Sequence, residues 1–187
     1  VGVRLYAALV HHPVRDRAGA LVTSAITNVD VHDLARSCRT YGLRGYFVVS
    51  PIAAQRALIE RILEHWRTGA GARRIPERTE ALALCVPCSS VEDALAAIEA
   101  REGASPRLVV TSARDEGRPV ISYRVLAEEL AAGAGPVLLA FGTGHGLHRT
   151  LVARADAVLA PIRPRGYNHL SVRAAAAITL DRLFGDG

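Results

Sequence analysis

The chain contains no lysine: its 23 basic residues are all arginine. That absence excludes a phosphate-binding P-loop, which requires a lysine after its glycines. Cysteine is scarce as well. Cys38, Cys85 and Cys88 are too few, and odd in number, for a disulfide scaffold. No apolar stretch approaches the ~18 uninterrupted residues of a membrane span, because arginines or acids break every candidate, so no membrane association is expected. The N-terminal stretch carries Arg4 but no short apolar core with a small-residue cleavage site, and a cytoplasmic location is expected. Trp66, the lone tryptophan, reads as core or interface packing.

What is present describes one domain over residues 1–187. At 50% hydrophobic residues, a chain of this length can bury roughly 70% of the surface its unfolded form exposes. The net charge of +5 favours a polyanionic partner. An all-arginine set in an alanine- and glycine-rich background is equally a mark of compositional bias, so the charge alone carries little weight.

Strand and helix patterns alternate six times. Strands are expected at Val3–Val10, Gly45–Ser50, Ala81–Val86, Leu108–Thr111, Val137–Phe141 and Ala157–Ala160. Between them, Val14–Gly19 reads as a charged loop. A helix capped by Asp30 carries Val31, Leu34, Ala35, Cys38 and Tyr41 on one face and His32, Arg36 and Arg39 on the other, with Gly42 as its stop. Pro51 suits the first position of a helix over Ile52–Arg67. Thr68–Arg78 is a basic, glycine-punctuated loop, either RNA-contacting or an ordinary connection. Helices at Ser89–Glu102, Ser122–Ala132 and Asn168–Phe184 and a short turn at His148–Ala155 complete the pattern. The fold class is α/β, a mainly parallel sheet flanked by helices.

In such sheets ligands bind outside the carboxyl ends of the strands. The turns after Val110, Phe141 and Ala160 are therefore expected to converge on one crevice. Gly142, Gly144 and Gly146 remove three Cβ atoms there, so backbone can approach a flat or charged ligand. A dinucleotide fingerprint fits poorly: Leu147 stands at the third glycine position, Arg163 lies near where an acid is needed, and the motif comes late in the chain. Cys85-Val86-Pro87-Cys88 has the spacing of a redox pair, but no second C-x-x-C completes a zinc site, and two buried or half-buried thiols are the alternative. His145 and His148 form an H-x-x-H without an accompanying acid or cysteine, so no metal site is expected.

The motifs F-G-T-G-H-G-L at 141–147, P-I at 161–162 and Y-N-H-L-S-V-R at 167–173 resemble the last two motifs of the SPOUT superfamily of S-adenosylmethionine-dependent RNA methyltransferases. D-V-H-D-L-A-R-S-C-R-T-Y-G-L at 30–43 is similar to their first motif. A-L-V-H-H-P-V, T-S-A-I-T-N, H-W-R-T-G-A-G-A-R, T-S-A-R and I-S-Y extend the likeness, within a little-characterised bacterial family, over essentially the whole chain. The resemblance implies a C-terminal trefoil knot, a homodimer, S-adenosylmethionine as cofactor and RNA as substrate.

It further implies a cofactor site at Thr111, Ser112, Phe141, Gly142, Thr143, Gly144, Gly146 and Pro161, with Ile162 and Leu170 clamping the adenosyl group and Asn168, His169 and Ser171 as polar contacts. Arg36 and Asp30 are the implied catalytic residues. Arginine is a poor general base, so Arg36 reads as orienting the acceptor or a phosphate. Asp30 stands where many relatives have asparagine. His145 and His169 are either structural or catalytic. A methyltransferase is the leading reading; a silent cofactor- or RNA-binding module on the same fold is the alternative.

Overall fold

Leu5–Val10, the first strand (β1), is apolar and buried at all six positions, as a strand covered on both faces should be. The computed structural model describes residues 3–163, 167 and 169–185. After β1 the chain continues through β2 (Val14–Arg15), β3 (Leu21–Val22), α1 (Asn28–Thr40), β4 (Gly45–Val49), α2 (Ala53–Arg67), α3 (Ala70–Arg74), α4 (Pro76–Leu82), β5 (Cys85–Cys88) and α5 (Val91–Glu102). It then forms β6 (Arg107–Thr111), β7 (Val120–Ile121), α6 (Tyr123–Ala131), β8 (Val137–Gly142), α7 (Arg149–Val152), β9 (Ala157–Leu159) and α8 (Val172–Phe184).

Seven of these strands make one sheet in the order β5-β4-β1-β8-β6-β9-β7, and every pairing in it is parallel. Period-two alternation divides the strand residues between two cores. Leu5, Ala7 and Leu9 face helices α1, α2, α4, α6 and α8, while Tyr6, Ala8 and Val10 face α5 and α7. Both faces are thereby covered, which accounts for the unbroken apolar runs of β1, β4 and β8.

Several boundaries differ from expectation, each for a visible reason. Val14–Gly19 is not a plain loop: Val14–Arg15 pairs antiparallel with Leu21–Val22. Thr27, not Asp30, caps α1, its side chain accepting from the Asp30 amide, and Asp30 lies within the first turn. Helix α2 begins at Ala53, after Pro51 and an Ile52 cap. The basic stretch Thr68–Arg78 folds into α3 and the start of α4, because Trp66 gathers it: Arg78 lies over the indole at 5.1 Å and the Thr79 hydroxyl donates to the Trp66 carbonyl at 2.9 Å. Ala81 and Leu82 then complete the buried side of α4, so the third strand starts only at Cys85. Helix α8 opens at Val172 with Ser171 as its cap, later than Asn168, which lies outside the described residues. The two-residue strand β7 was not foreseen.

Cys85 and Cys88, three apart on one strand, face opposite sides of the sheet: Cys85 sits in the first core and Cys88 packs against the second. A mutual disulfide would require the strand to rotate. Burial pushes the Cys38 and Cys88 thiols up to about 12 and raises Cys85 as well. Neutral thiols are expected, unreactive toward iodoacetamide in the native protein at pH 7.5, with all three modified after unfolding. Detection of a Cys85–Cys88 disulfide by mass spectrometry after mild oxidation would contradict the assignment.

Candidate functional site

The strands β8, β6 and β9 end side by side, Thr111 opposite Leu159 and Val110 opposite Ala140. Above their carboxyl ends lies a cleft of about 510 Å³, within the range of ordinary small-molecule sites. The three turns expected to converge do so. Thr111 and Ser112 form one wall, Phe141 to Gly146 a second, and Ile162 with His169 to Ser171 a third. Asp30 reaches the cleft from α1.

The glycine turn is shaped by the chain that follows β1. Val10 lies opposite Gly142, so the two strands exit together. The Thr143 amide donates to the Val10 carbonyl at 3.3 Å, the Arg15 amide to Gly146 at 2.9 Å, and the His145 amide to Arg15 at 3.3 Å. Arg15 also uses its side chain, donating from Nε to the His145 carbonyl at 3.0 Å and from Nη2 to Glu116 at 2.7 Å. That ion pair is largely buried, at 13% and 10% side-chain exposure. Gly144 and Gly146 have φ of +60° and +102°, in the region that disfavours side chains, whereas a Cβ on Gly142 would stand 2.6 Å from the Leu147 nitrogen. The glycines are thus required by the turn and its seam with Arg15, and only through that by any ligand.

The hydroxyls of the site face inward. Thr111 donates to the Ala140 carbonyl at 3.0 Å, Ser112 to Glu116 at 2.6 Å, and Thr143 to the Val10 carbonyl at 3.1 Å. This last bond fixes a relay. With its only hydrogen spent on a carbonyl, Thr143 accepts from Ser24; with its hydrogen so used, Ser24 accepts from His11 Nδ1 at 2.8 Å. His11 is therefore the Nδ1–H tautomer, and its buried Nε2 has no partner. Burial pushes its pKa down to about 4, against a smaller opposing pull from Asp30.

Asp30 is 15% exposed; it accepts from the Thr27 hydroxyl at 2.6 Å and lies 3.5 Å from Arg173 of α8. It is the only carboxylate lining the cleft among the described residues. Arg36 lies elsewhere, 60% exposed on the outer face of α1 and 3.8 Å from Asp33. Pro161 is half-buried beside the cleft wall without lining it. Asn168 lies outside the described residues. Of the histidines, His145 and His169 line the cleft, while His148 is buried and caps α7. Sequence reasoning missed Arg15, Ser24, Arg114 and Glu116. Their only signal was membership of the blocks A-L-V-H-H-P-V, T-S-A-I-T-N and T-S-A-R or the residues just after them.

Residues 4–185 match a family described as SAM-dependent RNA methyltransferase. A relative from Oleidesulfovibrio alaskensis named tRNA (guanine-N(1)-)-methyltransferase is 45% identical over 99% of this chain, which spans 43% of that relative's length. An uncharacterized protein from Aquifex aeolicus is 37% identical over 98% of this chain and 90% of its own. Among solved structures, the SpoU methyltransferase AviRb of Streptomyces viridochromogenes, in complex with AdoMet, superposes with a TM-score of 0.55 at 17% identity, over 98% of this chain and 58% of that one. The likeness is one of fold.

Two outcomes follow from the geometry. Because His11 binds its proton more weakly folded (about 4) than unfolded (6.5), its contribution is complete above pH 6.5 and is lost as pH falls toward 4. Urea unfolding should show on the order of 3 kcal/mol lost across that window, and His11→Gln should remove that part of the pH dependence. Gly142→Ala should cost about 1–3 kcal/mol through collision with the turn, and Gly144→Ala about 1 kcal/mol through its left-handed backbone; equal melting temperatures for both variants and the parent would refute the account.

Proposed function

The chain belongs to the SAM-dependent RNA methyltransferase family, and from that membership we propose that it transfers a methyl group from S-adenosylmethionine to RNA in the cleft above β6, β8 and β9. The observation that carries this reading is the construction of the cleft: a wall of backbone from a glycine turn, apolar surface from Phe141, Ile162 and Leu170, and one carboxylate at the acceptor side. The residues fit an adenosyl group. Apolar side chains can flank a planar ring, and inward-turned hydroxyls leave backbone groups to hold its edges.

Bound S-adenosylmethionine supplies a methyl group on a sulfonium, whose carbon–sulfur electron pair leaves with sulfur as the new bond to the acceptor forms. The chain's work is to position, exclude water and receive a proton. Asp30, held by Thr27 and Arg173, is placed to accept a hydrogen bond from an acceptor N–H or O–H and to take that proton. Arg36, at the exposed face of α1, serves the RNA from outside the cleft, orienting a phosphate or the acceptor strand. Thr111, Ser112, Thr143 and Ser171 hold the walls in shape, and His169 offers a polar edge at the mouth.

The topology supports the trefoil knot. β9 follows β6 and β7 in sequence yet lies between them, so the 112–119 connection joins two strands on either side of it, and α8 then packs against α1 and α6. A segment passed through such a connection is rare among folds at large. We read residues 1–187 as one methyltransferase domain, working as a cytoplasmic homodimer. Among the described residues no helix is long and apolar enough to cross a membrane. The guanine of the relative's name is not carried over, because more than half of that relative lies outside the match.

Calorimetry with S-adenosylmethionine and tritium transfer from it to RNA test the proposal together. Asp30→Asn should bind the cofactor normally and lose about 10²–10⁴-fold in transfer. Arg36→Ala should raise the RNA concentration needed for half-maximal rate, again at normal cofactor affinity. Absence of cofactor binding sinks the reading, and cofactor binding without label in any RNA leaves only a binding module.

A further inference from the structure

The chain has nine aromatic residues, three Phe, one Trp and five Tyr. Eight are buried or half-buried: Tyr6, Tyr46, Phe47 and Phe141 in the cores, and Tyr41, Trp66, Tyr123 and Phe184 at their edges. The ninth, Tyr167, is 84% exposed. Leaving a large ring in water forfeits its burial energy, so its position matters. Its ring lies 5.2 Å from that of His169, tilted by 59°, and His169 with the next residue, Leu170, lines the mouth of the cleft. Arg163, shortly before it, and Arg114, which lines the cleft, are both exposed.

We propose that Tyr167, backed by His169, is a stacking platform for an unpaired nucleobase of the RNA, presenting it to the cleft. The inference rests on the methyltransferase reading and adds the acceptor's form: single-stranded or extruded from a helix. Every base has a π-face, and an aromatic ring stacks on it without regard to sequence. A base buried within a duplex offers no such face to a side chain at a cleft mouth. Exposed guanidinium groups such as those of Arg114 and Arg163 suit the phosphates of such a strand. A protein partner would instead call for a wider apolar surface; among the described residues at this mouth, only Tyr167 and Leu170 are large, apolar and exposed.

The experiment uses the full chain with S-adenosylmethionine and a single-stranded oligoribonucleotide carrying one 2-aminopurine, whose fluorescence is quenched by stacking. Wild type should quench it on binding. Tyr167→Ala should weaken binding about tenfold or more and abolish the quench, with cofactor affinity by calorimetry unchanged. Tyr167→Trp should preserve both, whereas Tyr167→Leu, which keeps apolar area but no π-face, should behave as the alanine variant. Undiminished RNA binding by Tyr167→Ala, parity of the leucine variant with wild type, or a change in sedimentation without a change in RNA binding would each overturn the platform. If wild type binds cofactor but no RNA probe, the RNA reading fails and the platform with it; if only the Tyr167 series fails, the methyltransferase reading stands.

Discussion

A parallel strand that ends beneath a ligand site leaves peptide groups with nothing to pair with, and burying them unpaired costs more than the bond itself contributes. In this protein β8, which ends at the cleft, and its neighbour β1 solve the problem for each other. Because β1 and β8 are neighbours in register, the residues after Val10 meet those after Gly142, and amides of Thr143, His145 and Arg15 close a seam between them. The seam then spreads. The Arg15 side chain ties it to Glu116, 101 positions further along the sequence, and so to the 112–119 connection. Ser24, through His11 and Thr143, ties it to the segment entering α1, which delivers Asp30.

That spread explains what was legible in the sequence. The sheet was, because uninterrupted apolar runs such as Val137–Phe141 have few other uses, and so was the crevice, because strand ends in a parallel sheet point one way. The glycine turn was legible from its three glycines after an apolar strand, and the resemblance to a family gave Asp30 its place in the site. Arg15 and Glu116 were invisible, since pairing across such a separation leaves no local period. Ala81 to Val86 misled for a different reason: its apolar residues suit a strand, but Trp66 and Thr79 hold the first part as helix. Arg36 is where its motif put it, on α1, but the helix turns it to solvent, and only the register of the buried stripe Val31, Leu34, Ala35 and Cys38 determines that.

The inward-facing hydroxyls also change how the site is understood. Thr111, Ser112 and Thr143 were expected to touch the cofactor, yet each spends its donor hydrogen on the wall. Their contribution is shape. A ligand held chiefly by backbone and apolar surface depends on the turn keeping its form, so substitutions at Arg15, in the wall itself, or at His11, behind it, act on the same site.

The charge can now be weighed as well. A surplus of arginine suggested a polyanion, but part of it is internally matched near the cleft: Arg15 with Glu116, and Arg173 with Asp30 and Asp33. The more exposed of these pairs are worth little in stability, yet each lowers the local positive field. A different set is left exposed: Arg114, which lines the cleft, and Arg163 and Tyr167 on the segment that leads to His169. On the proposed reading, the wall that meets the cofactor is the one hydrogen-bonded through, and the side that meets the RNA is the one whose residues are kept out of the core.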